Sequence, residues 1–85
     1  MSVEERILDS GYENVIVFAN DDFEDALIGI SDDNRAIYDF DLMVEWLMKQ
    51  DNMDQTEAAE FIEYNTIRAL PYIGDGAPII MYKLY

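Results

Sequence analysis

From Asp39 to Gln50 the apolar residues Phe40, Met43, Val44 and Leu47 fall at i, i+3, i+4 and i+7, and Asp39 supplies the side-chain oxygen that an N-cap needs. At about 100° per residue, Asp41, Glu45 and Lys49 occupy one polar stripe roughly 80° wide. The helix predicted over 40–50 is therefore nearly all apolar. Leu42 and Trp46 sit on the flank of that stripe, outside the main core face. They can serve either as packing against a sheet or as a dimer surface.

Strand and turn signals surround this helix. Val15-Ile-Val-Phe-Ala is a continuous β-branched and aromatic run, which predicts a central strand over 14–19 covered on both faces. Ala26 to Ser31 reads as a second strand, with Gly29 marking a bulge or a close approach. Asp32-Asp-Asn is turn chemistry, Asn34 tolerates a left-handed backbone, and Arg35-Ala-Ile-Tyr resumes a strand over 35–38, so 26–38 reads as a hairpin. At the start of the chain Ser2 and Glu5 form a capping box, Val3, Ile7 and Leu8 follow at helical spacing, and Gly11 provides a stop.

Downstream, Asp54 and Glu57 cap a second helix over 54–66, whose inner face carries Ala58, Phe61, Ile62, Asn65 and Ala69 and which must end before Pro71. Gly74-Asp-Gly-Ala-Pro is a turn, and 78–82 reads as the last strand, with its proline at the entrance where a missing N–H does least harm. These elements predict a single α+β domain over 1–85. It is a small antiparallel sheet with two helices packed on one face, plus a short N-terminal helix.

Charge decides which functions such a domain can have. The 85 residues hold 19 Asp and Glu against 5 Lys and Arg, a formal charge of −14, yet 51% are hydrophobic, well outside the composition of disordered chains. The acidity decorates a real core, and the fold is expected to be salt-sensitive. With no His and no Cys, disulfides, thiolate nucleophiles, imidazole bases and Cys/His zinc sites are excluded. Five scattered cations cannot neutralise phosphates, so direct binding to nucleic acid is not expected and a basic protein partner is. Val15–Ala19 and Ala77–Tyr82 are the longest apolar runs, far short of the ~20 residues that span a bilayer. Met1-Ser-Val-Glu-Glu is no signal peptide, so a cytoplasmic protein without membrane contact is expected.

The carboxylates form three clusters, each of which offers carboxylate groups to the cationic groove of a basic partner. Asp21, Asp22, Glu24 and Asp25 lack the alternating ligands, the Gly and the final Glu of an EF-hand loop, so they read as a solvated acidic turn, with no metal or cofactor expected. Asp32 and Asp33 form the second cluster, in the hairpin turn. In the third, Glu57, Glu60 and Glu63 share the outer face of the last helix with Tyr64. Two readings of that face stand side by side. Either the helix breaks near Asn65 and 66–70 turn back into the core, or Tyr64 is an anchor and the glutamates meet Arg or Lys of a partner. Asp39 and Asp41 lack the pocket that acid–base work requires, and Gly74-Asp-Gly is too short for a phosphate loop, so no enzyme is expected. Arg35 and Arg68, rare cations here, read as clamps on neighbouring carboxylates.

Arg35-Ala-Ile-Tyr-Asp, Glu63-Tyr-Asn-Thr-Ile-Arg-Ala-Leu-Pro-Tyr and Ala77-Pro-Ile-Ile-Met-Tyr resemble segments of short acidic proteins of phages and prophages in low-GC Gram-positive bacteria. The likeness covers about Ala26 to Tyr82 and includes no catalytic signature. In size and charge the chain also resembles phage anti-CRISPR proteins, among them inhibitors of Cas9 that occupy its cationic groove or PAM-reading surface. That resemblance implies an inhibitor acting in the host bacterial cytoplasm, a DNA mimic whose carboxylates compete with phosphates for a nucleic-acid-handling enzyme, Cas9 first. The other reading is a non-enzymatic adaptor or structural homodimer whose acidity serves solubility.

Overall fold

A computed structural model describes residues 2–84. Helix α1 spans Val3–Asp9, β1 Leu27–Ile30, β2 Ala36–Asp39, α2 Phe40–Asp51, α3 Gln55–Phe61, α4 Leu70–Ile73 and β3 Ile79–Met81. The fold is α+β, as the sequence predicts. Short-range chemistry sets the helix ends. Glu5 N–H donates to Ser2 Oγ at 3.2 Å, Leu42 N–H to Asp39 Oδ1 at 3.1 Å and Glu57 N–H to Asp54 Oδ1 at 2.8 Å. Helix α1 closes with Gly11 at φ +93, where Gly11 N–H donates to the Leu8 carbonyl and Tyr12 N–H to the Ile7 carbonyl, a Schellman motif.

The sheet has three strands in the order β1-β2-β3. β1 and β2 form the expected antiparallel hairpin, with Asn34 left-handed in its turn and a register shift between Leu27 and Gly29. That bulge leaves Ile28 outside the pairing and about half exposed. β3 departs from the all-antiparallel expectation, because it pairs parallel to β2 with Ile37, Tyr38 and Asp39 opposite Ile79, Ile80 and Met81. The helices between β2 and β3 carry the chain back to the starting end of the sheet, and a crossover of that kind delivers a parallel strand.

The strand predicted over 14–19 is absent. Residues 12–18 run as an irregular segment into a short 3-10 turn, Ala19–Asp21. Both edges of the central strand β2 are already taken by β1 and β3, and left-handed residues at Asn14 and Asn20 bracket the segment. It still covers the core, with Val15, Val17 and Phe18 packed on it and Phe18 N–H donating to the Tyr38 hydroxyl at 3.4 Å.

The core lies on the face of β2 that carries Ala36 and Tyr38, both fully buried. Met43, Val44 and Leu47 of α2 join them there, with Ala58 and Ile62 from the next helix. An aromatic row runs outward from it. Tyr38 meets Phe18 at 4.7 Å between ring centroids, Phe18 meets Phe23 edge-on at 5.5 Å, and Phe23 meets Trp46 at 5.2 Å. Leu42 and Trp46 are half-buried and pack against this core. No helix among the described residues is long and apolar enough to cross a membrane.

Candidate functional site

The second helix neither runs regularly to 66 nor breaks at Asn65. After α3 it widens into a π-helical segment, Ile62–Ile67, followed by a turn and α4, with Pro71 in the first turn of α4. The Asn65 side-chain amide folds back and donates to the Phe61 carbonyl at 3.2 Å. Wide turns of this kind are rare in helices and concentrate at functional positions. Here the widening leaves Phe61, Tyr64 and Asn65 exposed and keeps Ile62 in the core.

Met53, Glu57, Glu60, Phe61, Tyr64 and Asn65 line a shallow depression on this outer face. Glu63 is exposed but stands outside it. Arg68 clamps no carboxylate among the described residues. Its guanidinium lies over the Tyr64 ring, 5.1 Å from the centroid, a cation–π contact at the surface. Arg35 does clamp, chiefly through a backbone carbonyl: its Nε–H donates to Ala77 at 2.8 Å, and its charge faces Asp33 at 3.7 Å.

Phe61 and Asn65 also belong to a neighbouring cleft of about 470 Å³, walled by Phe23, Trp46, Leu47 and Thr66 and rimmed by Asp22, Gln50 and Asp51. The cleft and the depression therefore form one continuous surface, on which Asp22 of the first acidic cluster joins Glu57 and Glu60 of the third. Backbone strain accumulates beside the cleft. Asn20, Asp21 and Phe23 all have φ near +60, which Asn and Asp tolerate but which costs Phe about 1–2 kcal/mol. The Trp46 indole N–H is enclosed and has no hydrogen-bond partner among the described residues.

The other cluster residues hold the fold or stand apart. Asp21 Oδ1 accepts from Val3 N–H at 3.0 Å, fastening the start of α1. Glu24 offers its backbone carbonyl to Arg6 at 3.5 Å, while Asp25 and Asp32 are exposed. Asp33 accepts a short hydrogen bond from the Ser31 hydroxyl, which with nearby Arg35 holds its carboxyl below the usual carboxylate range. Among the described residues no three carboxylates come together in a set suited to a metal ion. The cleft was not visible in the sequence, because Asp22, Trp46 and Phe61 meet only in the folded chain. Comparison with known protein families, with curated proteins and with solved structures finds no match.

Proposed function

We propose that this chain is a stoichiometric, non-enzymatic inhibitor of phage type. Its acidic surface engages a basic, nucleic-acid-handling host protein, Cas9 first, and blocks nucleic-acid loading. One observation carries the reading: Glu57 and Glu60 flank the exposed aromatics Phe61 and Tyr64 on an open surface that continues into a cleft rimmed by Asp22 and Asp51. Carboxylates around aromatic anchors suit a cationic groove. The charges raise the encounter rate, and the rings supply apolar area that slows release.

The geometry also ranks the glutamates. In binding kinetics against guide-loaded Cas9, Glu57→Lys and Glu60→Lys should slow association and flatten its salt dependence, with Glu63→Lys doing less of both. Tyr64→Ala should mainly speed dissociation. Equal effects from all three reversals would place the contact elsewhere.

A further inference from the structure

We propose that the cleft between α2 and the π-helical segment is the receptor for one arginine side chain of the basic partner, an inference that rests on the reading of this surface given above. The walls and rim define the ligand class. Trp46 and Phe61 present aromatic surface with buried Phe23 behind Trp46, Asp22 and Asp51 are exposed carboxylates, and no Lys or Arg lines the cleft. Neither carboxylate is in an ion pair among the described residues, whose one salt bridge joins Arg35 to Asp33 across the hairpin turn. Unpaired anions beside aromatic surface select a cation. A guanidinium suits the combination better than an ammonium, because it stacks flat on aromatic groups while its N–H fork meets carboxylates.

The volume, about 470 Å³, accommodates an extended arginine side chain. Two local irregularities border the cleft: the left-handed Phe23, whose ring packs against Trp46 at 5.2 Å between centroids, and the π turn, which supplies Asn65 and Thr66 to the lining. Strained backbone persists only where its surroundings hold it, and such positions gather at ligand clamps.

Trp46 is the chain's one tryptophan, so its fluorescence reports on the cleft wall directly. The probes are Ac-Ala-Arg-Ala-NH2, its lysine counterpart and its neutral citrulline counterpart, titrated at fixed ionic strength. Amide chemical shifts are followed in parallel. The arginine peptide should saturate a change in Trp46 emission and shift amides around 22–23, 46–51 and 61–66. The lysine peptide should bind several-fold more weakly and the citrulline peptide should produce no saturating change. Asp22→Asn combined with Asp51→Asn, both exposed and checked for folding by circular dichroism, should weaken the arginine peptide at least fivefold. Equal response to arginine and citrulline, shifts confined to another surface, or full binding by the double variant would each overturn the inference.

The same variant separates this inference from the broader reading. If it still binds and inhibits Cas9 at full strength, the cleft assignment fails while the inhibitor reading stands. If the arginine peptide fills the cleft but no nucleic-acid enzyme is inhibited, only the inhibitor reading fails.

Discussion

Asp21 and Asp32 carry the same charge and differ in what they hold. Asp21 secures the first N–H of α1 from a left-handed position, whereas Asp32 stands exposed in the hairpin turn. In urea denaturation Asp21→Ala should therefore lower stability by about 0.5–2 kcal/mol, and Asp32→Ala should stay within about 0.5 kcal/mol of the parent. Tyr38 provides a pH test. Burial pushes its hydroxyl above the ordinary value of 10.0, so the folded state holds that proton more tightly than the unfolded chain. Its contribution is complete below about pH 10 and is lost as pH rises through the raised value. Tyr38→Phe should flatten the fall in melting temperature above about pH 10, and an unchanged alkaline slope would assign that loss to other groups. The caps at Ser2, Asp39 and Asp54 and the stop at Gly11 were legible in the sequence because each is decided within four residues of chain. Left-handed Phe23 and the Tyr38–Phe18 bond were not, since only tertiary packing imposes them.

At the scale of elements, the hairpin and the apolar helix α2 could be read from spacing and turn chemistry, and the bulge from Gly29. The parallel seating of β3 is implicit in the helices between the last two strands, a pattern that the all-antiparallel expectation leaves out. The run at 15–19 carries strong strand propensity but found no free edge beside β2, so packing overrode propensity. The π segment has no pattern of its own in the sequence, because the same residues suit an ordinary helix. Arg35 ties two of these elements together, linking the hairpin to the backbone that enters β3. Arg35→Ala should cost about 1–3 kcal/mol in denaturant melts, and Arg35→Lys should recover little of it, since an ammonium does not reproduce the Nε–H geometry. Full recovery by lysine would mean that charge facing Asp33, and not the bond to Ala77, is what matters.

Across the whole molecule, a net charge of −14 surrounds a small core, and one salt bridge joins described residues. Self-repulsion should therefore be relieved by screening, and the melting temperature should rise between about 10 mM and 150 mM salt as the Debye length falls from about 30 to 8 Å. A flat response would mean that bound cations already compensate the carboxylates. On the proposed function, the carboxylates of Asp22, Asp51, Glu57 and Glu60 around Phe61, Tyr64 and the neighbouring cleft compete with phosphates for a protein that ordinarily holds them. Target-DNA binding and cleavage by guide-loaded Cas9, measured with increasing amounts of this protein at two salt concentrations, test that directly. Inhibition should saturate near one protein per Cas9, weaken at the higher salt, and weaken again when Glu57 and Glu60 are reversed. Unimpaired DNA binding and cleavage at large molar excess across several Cas9 orthologues would contradict it.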